Sequence, residues 1–501
     1  MAISLMLARL PKLTVSSFKF HRPLSTTLTP LTEDTDILTY VYTQFDEAVK
    51  HLVSIQYNKL TENWCSIFRT CNSVLKFTLP IVRDNKKKIA VEAFRAHHQY
   101  FTLPCYGGVR ISPEIDVRKL EAMTIHNSIK SGCYGIPFGG SKGAIKIDPQ
   151  QFTENELRDI CKYYVYQLGS YKMISSGLDV LGPCMGSSQR EMGWMHDAYR
   201  EIREHKDANY KAIVIGKNPN RGGLDGYIEA TGFGIAVGVN YCLNNNMFCN
   251  LFCIPIGTKG KTVVIQGYGD VGSYTHKYLQ EIGCKIIGII EKNSGIYSKD
   301  GLEYSEIKEH WTKYRTFKTF TSSKHFQVMD GTQANELLKL QCDILTLAAA
   351  EVTINKTNVE SIKAKMIIEG ADMPVSSIAQ KHLEEKGVVI IPDVLINGSN
   401  IVTSYIEWLK GRNGGRTRKF LLTMSKITLK SPWSHLSNTS EYNPMQSERS
   451  AIQIAIEDII QQSCYTTLKY VQKHKVSMRT AAYSIAIEKI VQNFYECGVI
   501  Y

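Results

Sequence analysis

Three glycines at the spacing used by phosphate-binding turns lie just past the middle of the chain. They are Gly267, Gly269 and Gly272, in the block QGYGDVG. The first permits a tight turn, the second lets the backbone approach a pyrophosphate, and the third lets the following helix pack closely on the preceding strand. Asp270 and Val271 stand where that helix begins, so its free N–H groups and positive dipole end face the phosphate. The pattern predicts a dinucleotide-binding turn.

The residues on either side of the turn have the order that such a site needs. A β-branched run, 262–266, precedes it, and Gly283 ends the helix. A second apolar run, 285–290, leads to Glu291, about 20 residues after the last glycine, where an acid binds the ribose hydroxyls. Glu291 favours NAD, but Lys292 could offset repulsion of a 2′-phosphate, so NAD and NADP both stay open. The alternative is an ordinary glycine-rich turn in a parallel sheet.

Composition limits the class of protein. The 501 residues are enough for two or three domains, and 43% of them are hydrophobic. No run of about 18 apolar residues occurs, so no membrane insertion is predicted. The net charge of +12 suits an anionic cofactor and substrate without arguing for nucleic acid. The 13 cysteines are scattered, which predicts reduced thiols and no metal site.

The first 34 residues have the composition of a targeting segment. Positions 1–30 contain basic residues and several Ser and Thr, and the first acidic residue is Glu33. Apolar residues of the first ten fall on one helical face. Such a segment is typical of a mitochondrial transit peptide. Residues 1–34 are therefore predicted to be a cleaved leader that sends the protein to the mitochondrial matrix; the alternative is a disordered basic tail.

The chain before the glycine turn mixes strand and helix signals, whereas the chain after it alternates them. Strands are predicted over 74–82 and 88–95, and apolar residues at spacing four predict a helix over 35–69. Thr153 and Glu156 form a capping box that opens another helix. The alternation after the glycine turn predicts a parallel, doubly wound sheet.

Several blocks, in order along most of the chain, resemble those of one enzyme family. PFGGSK at 137–142, PCYGGVR around Tyr106 and EATGFG around Thr231 accompany the QGYGDVG turn. Together they resemble the glutamate dehydrogenases of the animal mitochondrial type, within the Glu/Leu/Phe/Val dehydrogenase superfamily. The chain would be a divergent member. The resemblance extends over about 93–409 and returns at 479–499.

This resemblance implies a fold and a reaction. The fold would be α/β, with an N-terminal mixed-sheet substrate domain, a Rossmann-type doubly wound dinucleotide-binding domain and C-terminal helices packed on the latter. The reaction would be oxidative deamination of L-glutamate to 2-oxoglutarate and ammonia with NAD or NADP, in a hexamer. The implied divisions are 35–225 for the substrate-binding and oligomerisation domain, 226–410 for the cofactor domain, 411–450 for a shortened antenna-like segment, and 451–501 for the C-terminal helices.

The resemblance also implies roles for particular side chains. Lys142 matches the family's catalytic lysine, and Lys130 matches the lysine that binds the substrate α-carboxylate. Ser404 matches a serine that helps bind the side-chain carboxylate. Three further matches, Arg110, Thr231 and Asn397, are assigned to cofactor binding, as is Asp372, at a position where the family has an asparagine near the nicotinamide.

Five positions depart from the family pattern in the cleft, one of them Gly186, which replaces a serine beside position 184. Cys184 stands where the family has its catalytic aspartate, and a free thiol ionises near pH 8.5 rather than about 4. Tyr106 replaces a lysine that binds the distal carboxylate, and Tyr227 replaces an arginine. Asp372 replaces an asparagine and adds a negative charge close to an anionic substrate.

Two functions from different classes follow. The first is an NAD(P)-dependent amino-acid dehydrogenase with weak glutamate turnover or an altered substrate, since Tyr106 could face an uncharged side chain. The second is a catalytically silent subunit that binds dinucleotide and has a structural or regulatory role in a homo- or hetero-hexamer with paralogues. The roles of Cys184 and Tyr106 discriminate between these two functions.

Overall fold

Two β-sheets organise the chain. The computed structural model describes residues 36–57, 60, 65–203, 206–321, 325–413 and 444–497. The first sheet has five strands: β1 (Ser73–Val82), β2 (Lys88–His97), β3 (Cys105–Ile111), β4 (Gly139–Ile145) and β5 (Asp179–Pro183). Their order is β1-β2-β4-β3-β5. The pairs β1/β2 and β2/β4 are antiparallel, whereas β3 pairs parallel with β4 and β5, so the sheet is mixed.

The second sheet has seven strands in the order β12-β11-β10-β6-β7-β8-β9. They are β6 (Thr262–Gln266), β7 (Lys285–Glu291), β8 (Ser294–Tyr297), β9 (Gln327–Asp330), β10 (Ile344–Leu347), β11 (Met366–Glu369) and β12 (Val389–Ile391). The strands from β12 to β7 are parallel, and β8 and β9 add an antiparallel edge. The predicted α/β, doubly wound class is confirmed.

Helices cover both sheets. They are α1 (Ile37–Ser54), α2 (Cys65–Arg69), α3 (Val117–Tyr134), α4 (Glu154–Ser170), α5 (Gln189–Arg203), α6 (Ala230–Leu243), α7 (Asn246–Phe252), α8 (Asp270–Glu281), α9 (Tyr304–Tyr314), α10 (Ser377–Glu385), α11 (Asp393–Ile396), α12 (Ser399–Asn413), α13 (Pro444–His474) and α14 (Met478–Glu496). The helix α3 packs on β4, α4 packs on β1, and α6 packs between α8 and α13. No helix in the described ranges is long and apolar enough to span a bilayer.

The expected long helix over 35–69 is wrong. The helix α1 ends at Ser54, Gln56 takes a positive φ of 60°, and the short α2 begins only at Cys65. The buried face of α1 runs as far as Leu52, and Ile55 and Gln56 just beyond it are exposed. The helix therefore ends where its buried face ends.

The antiparallel edge of the second sheet was not predicted. Strands β8 and β9 have four residues each, and β9 is mostly exposed. Such short strands carry no useful alternation of apolar and polar residues. The predicted leader, the bulk of the antenna-like segment and Gly498, which was expected to close the last helix, lie outside the described residues.

The predicted capping box is confirmed. The Thr153 hydroxyl accepts a hydrogen bond from the Glu156 N–H at 3.3 Å, and the Glu156 carboxylate accepts one from the Thr153 N–H at 3.0 Å. Thr153→Ala should lower the free energy of unfolding by about 0.5–2 kcal/mol, because an N–H of the first turn loses its partner. Urea denaturation measures this loss. Thr153→Ser keeps the hydroxyl and should restore most of it; equal losses in both variants would contradict the capping role.

Candidate active site

The glycine turn lies at the carboxyl end of β6. From β6 the chain continues to β7 on one side of it, and the later strands β10 to β12 lie on its other side. This is the position at which open α/β sheets bind ligands. Gly267 has a φ of 89°, and a Cβ there would lie 2.6 Å from the Ala348 carbonyl oxygen. A Cβ at Gly272 would lie 1.8 Å from the Gly267 oxygen. Gly269, in contrast, has no heavy atom within 4 Å of its Cβ position, so it faces open space of the kind a pyrophosphate needs.

The helix beyond the turn has free backbone N–H groups at its first turn, which can bind an anion. It begins at Asp270, followed by Val271, and its N-cap Gly269 offers no side chain to the first-turn N–H groups. Those donors remain for a ligand. Glu291, at the end of β7, accepts hydrogen bonds from the backbone N–H of Tyr268 and, at 3.2 Å, of Lys292. Its carboxylate therefore lies against the turn, as expected for a group that binds ribose, and the residues present fit a dinucleotide.

The first sheet brings three candidate residues together. Arg110 is on β3, Lys142 is on β4, and Cys184 follows the last residue of β5. Because β3 lies between the other two strands, its Val109 pairs with Gly143 on one side and with Pro183 on the other. Two cations and a thiol thus meet near the carboxyl end of β3.

The thiol of Cys184 is not the ordinary thiol that the sequence suggested. Burial opposes its ionisation, but the positive charges of Lys142 and Arg110 outweigh burial and lower the pKa of Cys184 below its usual value. A larger fraction of thiolate is therefore present near neutral pH. The departure from aspartate therefore leaves a group whose anionic form is favoured by the two neighbouring cations.

A cluster of three hydroxyl groups fills the position expected for the substrate side chain. The Tyr106 hydroxyl lies 3.2 Å from the Tyr227 hydroxyl and 2.7 Å from the Ser404 hydroxyl, and the latter two are 2.9 Å apart. All three residues are buried. The Tyr106 ring stacks on Phe138, with centroids 5.3 Å apart. We call Tyr106, Tyr227 and Ser404 the hydroxyl triad.

The hydroxyl triad is uncharged. Burial raises the pKa of Tyr106, and it raises that of Tyr227 further, so both phenols stay protonated. The carboxylate of Glu407 acts in the same direction on both. A carboxylate entering this pocket would meet neutral hydroxyls in place of the cations that the resemblance implies.

The lysine expected to bind the α-carboxylate already has an anionic partner. Lys130, on α3, forms an ion pair with Asp372, which follows β11. The Asn397 amide donates to the same carboxylate oxygen at 3.1 Å. Burial alone would raise the pKa of Asp372, but Lys130, His126 and Lys142 lower it well below its usual range. The Asp372 carboxylate is therefore ionised, and it pairs with the lysine that the resemblance assigns to the substrate α-carboxylate.

A second ion pair joins the same two parts of the molecule. The Arg110 guanidinium donates to Glu351, which follows β10, at 2.6 Å. The carboxyl ends of β10 and β11 lie at the same edge of the sheet as the glycine turn. Arg110 and Lys130 thus face the cofactor edge. Thr231 lies in the first turn of α6, which packs against α8.

A buried network behind Lys130 was missed by the sequence analysis. His126 lies 2.9 Å from Asp393, and Arg479 donates to the other oxygen of Asp393 at 3.1 Å. His126, Asp372 and Asp393 are close enough to hold a metal ion. Their charges are already matched, however, by Arg479 and Lys130, so we assign the cluster to an ion-pair network. The three segments are far apart in sequence, and no spacing could have joined them.

Comparisons with known proteins place this geometry in a family. The family model described as Glutamate/Leucine/Phenylalanine/Valine dehydrogenase matches residues 222–429, and the model of the Glu/Leu/Phe/Val dehydrogenase dimerisation domain matches residues 71–201. The mitochondrial glutamate dehydrogenase of Dictyostelium discoideum is 32% identical over 447 residues, which cover 86% of this chain and 87% of that protein. The chain belongs to the Glu/Leu/Phe/Val dehydrogenase family.

Other members agree in sequence and in fold. The NADP-specific glutamate dehydrogenase of Saccharolobus shibatae is 32% identical over 342 residues, covering 68% of this chain and 76% of that protein. The hetero-hexameric glutamate dehydrogenase of Thermus thermophilus, in its Leu bound form, superposes with a TM-score of 0.75 at 20% identity, covering 92% of this chain and 98% of that one. As a member of this dehydrogenase family, the protein is an oxidoreductase that uses NAD or NADP.

The charge around Cys184 in this dehydrogenase gives a pH prediction. Lys142→Gln should raise the pH at which Cys184 becomes half-ionised, because a cation that stabilises the thiolate is removed. Iodoacetamide labelling across a pH series, followed by peptide mass spectrometry, measures this midpoint. Lys146→Gln removes an exposed charge from the residue after β4 and should leave the midpoint in place. Equal midpoints in wild type and Lys142→Gln would contradict the charge assignment.

Proposed function

We propose that this dehydrogenase catalyses the oxidative deamination of an L-amino acid to a 2-oxo acid and ammonia. The observation that best supports this proposal is the position of Lys130, Arg110 and Lys142. All three belong to the first-sheet half, and the first two contact loops at the cofactor edge of the second sheet. Bound NAD or NADP would supply the acceptor for the hydride that leaves the substrate α-carbon. Water then converts the resulting iminium carbon to the carbonyl.

The residues of the cleft have separate parts in this proposal. Lys130 binds the α-carboxylate of the substrate after that carboxylate displaces Asp372. The displacement is needed because both carboxylates pair with the same ammonium group. Lys142 stabilises negative charge that develops on oxygen at the reacting carbon. Cys184, as the thiolate, accepts a proton from the attacking water. The glycine turn and Glu291 hold the pyrophosphate and the ribose.

Glutamate is the substrate that the names of the relatives indicate, and the hydroxyl triad bears on how well it is used. A charge-assisted contact to a carboxylate is worth about 1.5–3 kcal/mol, more than a neutral hydrogen bond. We therefore propose weak turnover of L-glutamate and favour, as a second candidate, an amino acid with an uncharged side chain. Ser404 argues partly against the second candidate, because it matches the serine of the glutamate site.

The test is an assay of the purified full-length chain with a panel of amino acids and both cofactors, beside a calorimetric titration of each cofactor. We expect cofactor binding and turnover of at least one amino acid, with Lys142→Gln as the inactive control. Cofactor binding without turnover of any amino acid would contradict the proposed dehydrogenase activity. It would support the catalytically silent subunit, which no relative favours. The same titration decides between NAD and NADP.

We further propose a hexamer in the mitochondrial matrix. The hetero-hexameric relative supports the assembly, and the mitochondrial relative together with the acid-free start of the chain supports the location. Light scattering after gel filtration tests the hexamer, and co-purification tests paralogous subunits. Mass spectrometry of protein from isolated mitochondria should reveal cleavage before about residue 35, by the logic of transit peptides. A cytosolic protein that keeps Ala2 would contradict the location.

A further inference from the structure

A second cavity lies at the edge of the seven-stranded sheet opposite the glycine turn. Its volume is about 560 Å³. It is bounded by the end of α6, the segment after α7, and the amino ends of β10, β11 and β12. Because parallel strands place their amino ends at the edge away from their carboxyl ends, this cavity is separate from the cofactor crevice. Its size falls within the range of about 300–1,000 Å³ typical of small-molecule sites.

The floor of the cavity is apolar. The apolar surface that solvent reaches here comes from Phe252, Ile254 and Pro255, at and after the end of α7, while the almost fully buried Leu243, Ile344 and Met366 close the cavity from below. Water in contact with such a surface is released when an apolar ligand covers it, which favours binding by about 25 cal/mol per Å². The floor therefore suits the hydrocarbon body of a ligand.

The rim of the cavity is basic. Four lysines line it, at positions 261, 363, 365 and 386. Lys365 pairs at 2.9 Å with Asp343, which also lines the cavity, and Lys386 pairs at 2.6 Å with Glu360, so two of the four positive charges are already matched. Lys261 and Lys363 form no ion pair within the described part of the chain, and Lys261 is half-buried. Covering these two ammonium groups with a wholly apolar ligand would remove water without replacing its hydrogen bonds, which is unfavourable.

We propose that this cavity binds an amphipathic carboxylate. The hydrocarbon chain lies on the apolar floor, and the carboxylate pairs with the free ammonium groups of Lys261 and Lys363. The pairing gives each lysine an anionic partner, which neither has among the described residues, and the hydrocarbon chain covers apolar surface. This site does not depend on the proposed reaction, since none of its residues belongs to the catalytic cleft.

Cys253 provides a reporter for this site. It lines the cavity, is exposed, and ends α7 in the left-handed conformation with a φ of 53°. Cys497 is also exposed but lies at the end of α14, beside Phe101, so it serves as the internal control. Decanoate is the probe because it has one carboxylate and one apolar chain.

The experiment follows maleimide labelling of both cysteines in the full-length protein by peptide mass spectrometry. Saturable protection by decanoate should slow labelling of Cys253 about tenfold at a concentration about ten times Kd, and should leave Cys497 unchanged. Decanol, which lacks the charge, and acetate, which lacks the chain, should protect neither cysteine. Unchanged labelling of Cys253 with decanoate would overturn the site, and equal protection by decanol would overturn the role of the carboxylate.

Lysine variants distinguish binding in this cavity from a general effect of protein charge on decanoate binding. Lys261→Gln combined with Lys363→Gln should abolish the protection by decanoate. Lys259→Gln removes an exposed charge from the same loop without touching the cavity lining, and it should keep the protection. Protection that survives the double variant would overturn the proposal. Calorimetric binding of NAD should be equal in all of these proteins, since the cofactor crevice is at the other edge of the sheet.

Discussion

Replacing Cys184 by aspartate together with Tyr106 by lysine should raise glutamate turnover by more than about 100-fold, the low end of a general-base contribution. The aspartate would lie between Lys142 and Arg110, whose charges already favour an anion there. The new lysine would enter the hydroxyl triad, where Ser404 and the nearby Glu407 can accept its hydrogen bonds. A distal carboxylate would then meet a cation in place of neutral hydroxyls.

Each change alone should have a smaller effect. A base without a positioned substrate has nothing to act on, and a positioned substrate without an effective base still faces the slow attack of water. Steady-state kinetics with glutamate and saturating cofactor measure the gain. Tyr106→Met with Cys184→Asp is the matched control, since it removes the phenol without adding charge. The Asp372 carboxylate remains beside Lys130 and should keep the rate below that of ordinary family members.

One outcome would reverse this interpretation of the cleft. Wild-type protein that turns over glutamate at an ordinary kcat, on the order of 10 s⁻¹, would mean that the Cys184 thiolate is already an effective base. The lowered pKa of Cys184, which the neighbouring cations cause against the effect of burial, makes this outcome physically reasonable. The silent-subunit alternative would then be excluded as well.

Gly269→Val should reduce cofactor affinity by at least about 100-fold while leaving the protein folded. The isopropyl group would occupy the open space beside the turn and would hold the pyrophosphate away from the backbone N–H groups. Hydrogen bonds to a charged group contribute about 1.5–3 kcal/mol each, and the loss of two of them corresponds to at least that factor. The fold should survive because no heavy atom lies within 4 Å of the new Cβ.

Calorimetric titration with NAD measures the affinity, and circular dichroism checks the fold. Gly177→Val is the control, because Gly177 also has open space around its Cβ position and a φ that other residues adopt, but it lies in the first-sheet half. Gly272→Val is not equivalent, since its Cβ would collide with the Gly267 oxygen and disturb the turn itself. If Gly269→Val binds NAD with unchanged affinity, the glycine turn does not form part of the cofactor site.

The amino-acid sequence by itself determined the features that depend on neighbouring residues. The glycine turn, its strand and helix, and the capping box at Thr153 all rest on contacts within a few residues, so spacing alone predicts them. The α/β class followed for the same reason, from the alternation of short strand and helix signals. The resemblance to the dehydrogenase family indicated which lysines lie in the cleft. The helix over 35–69 failed because only burial against the core decided where α1 ends.

Tertiary structure decided the electrostatics of the cleft. Lys130 meets Asp372 from 242 positions away in the chain, and Tyr106 meets Ser404 from 298 positions away. A sequence states which groups are present, but the pKa of Cys184 depends on which charges the fold brings within reach and on how much water it removes. Those two quantities arise only when distant segments pack together, which is the physical reason that the chemistry of this site could not be predicted from spacing.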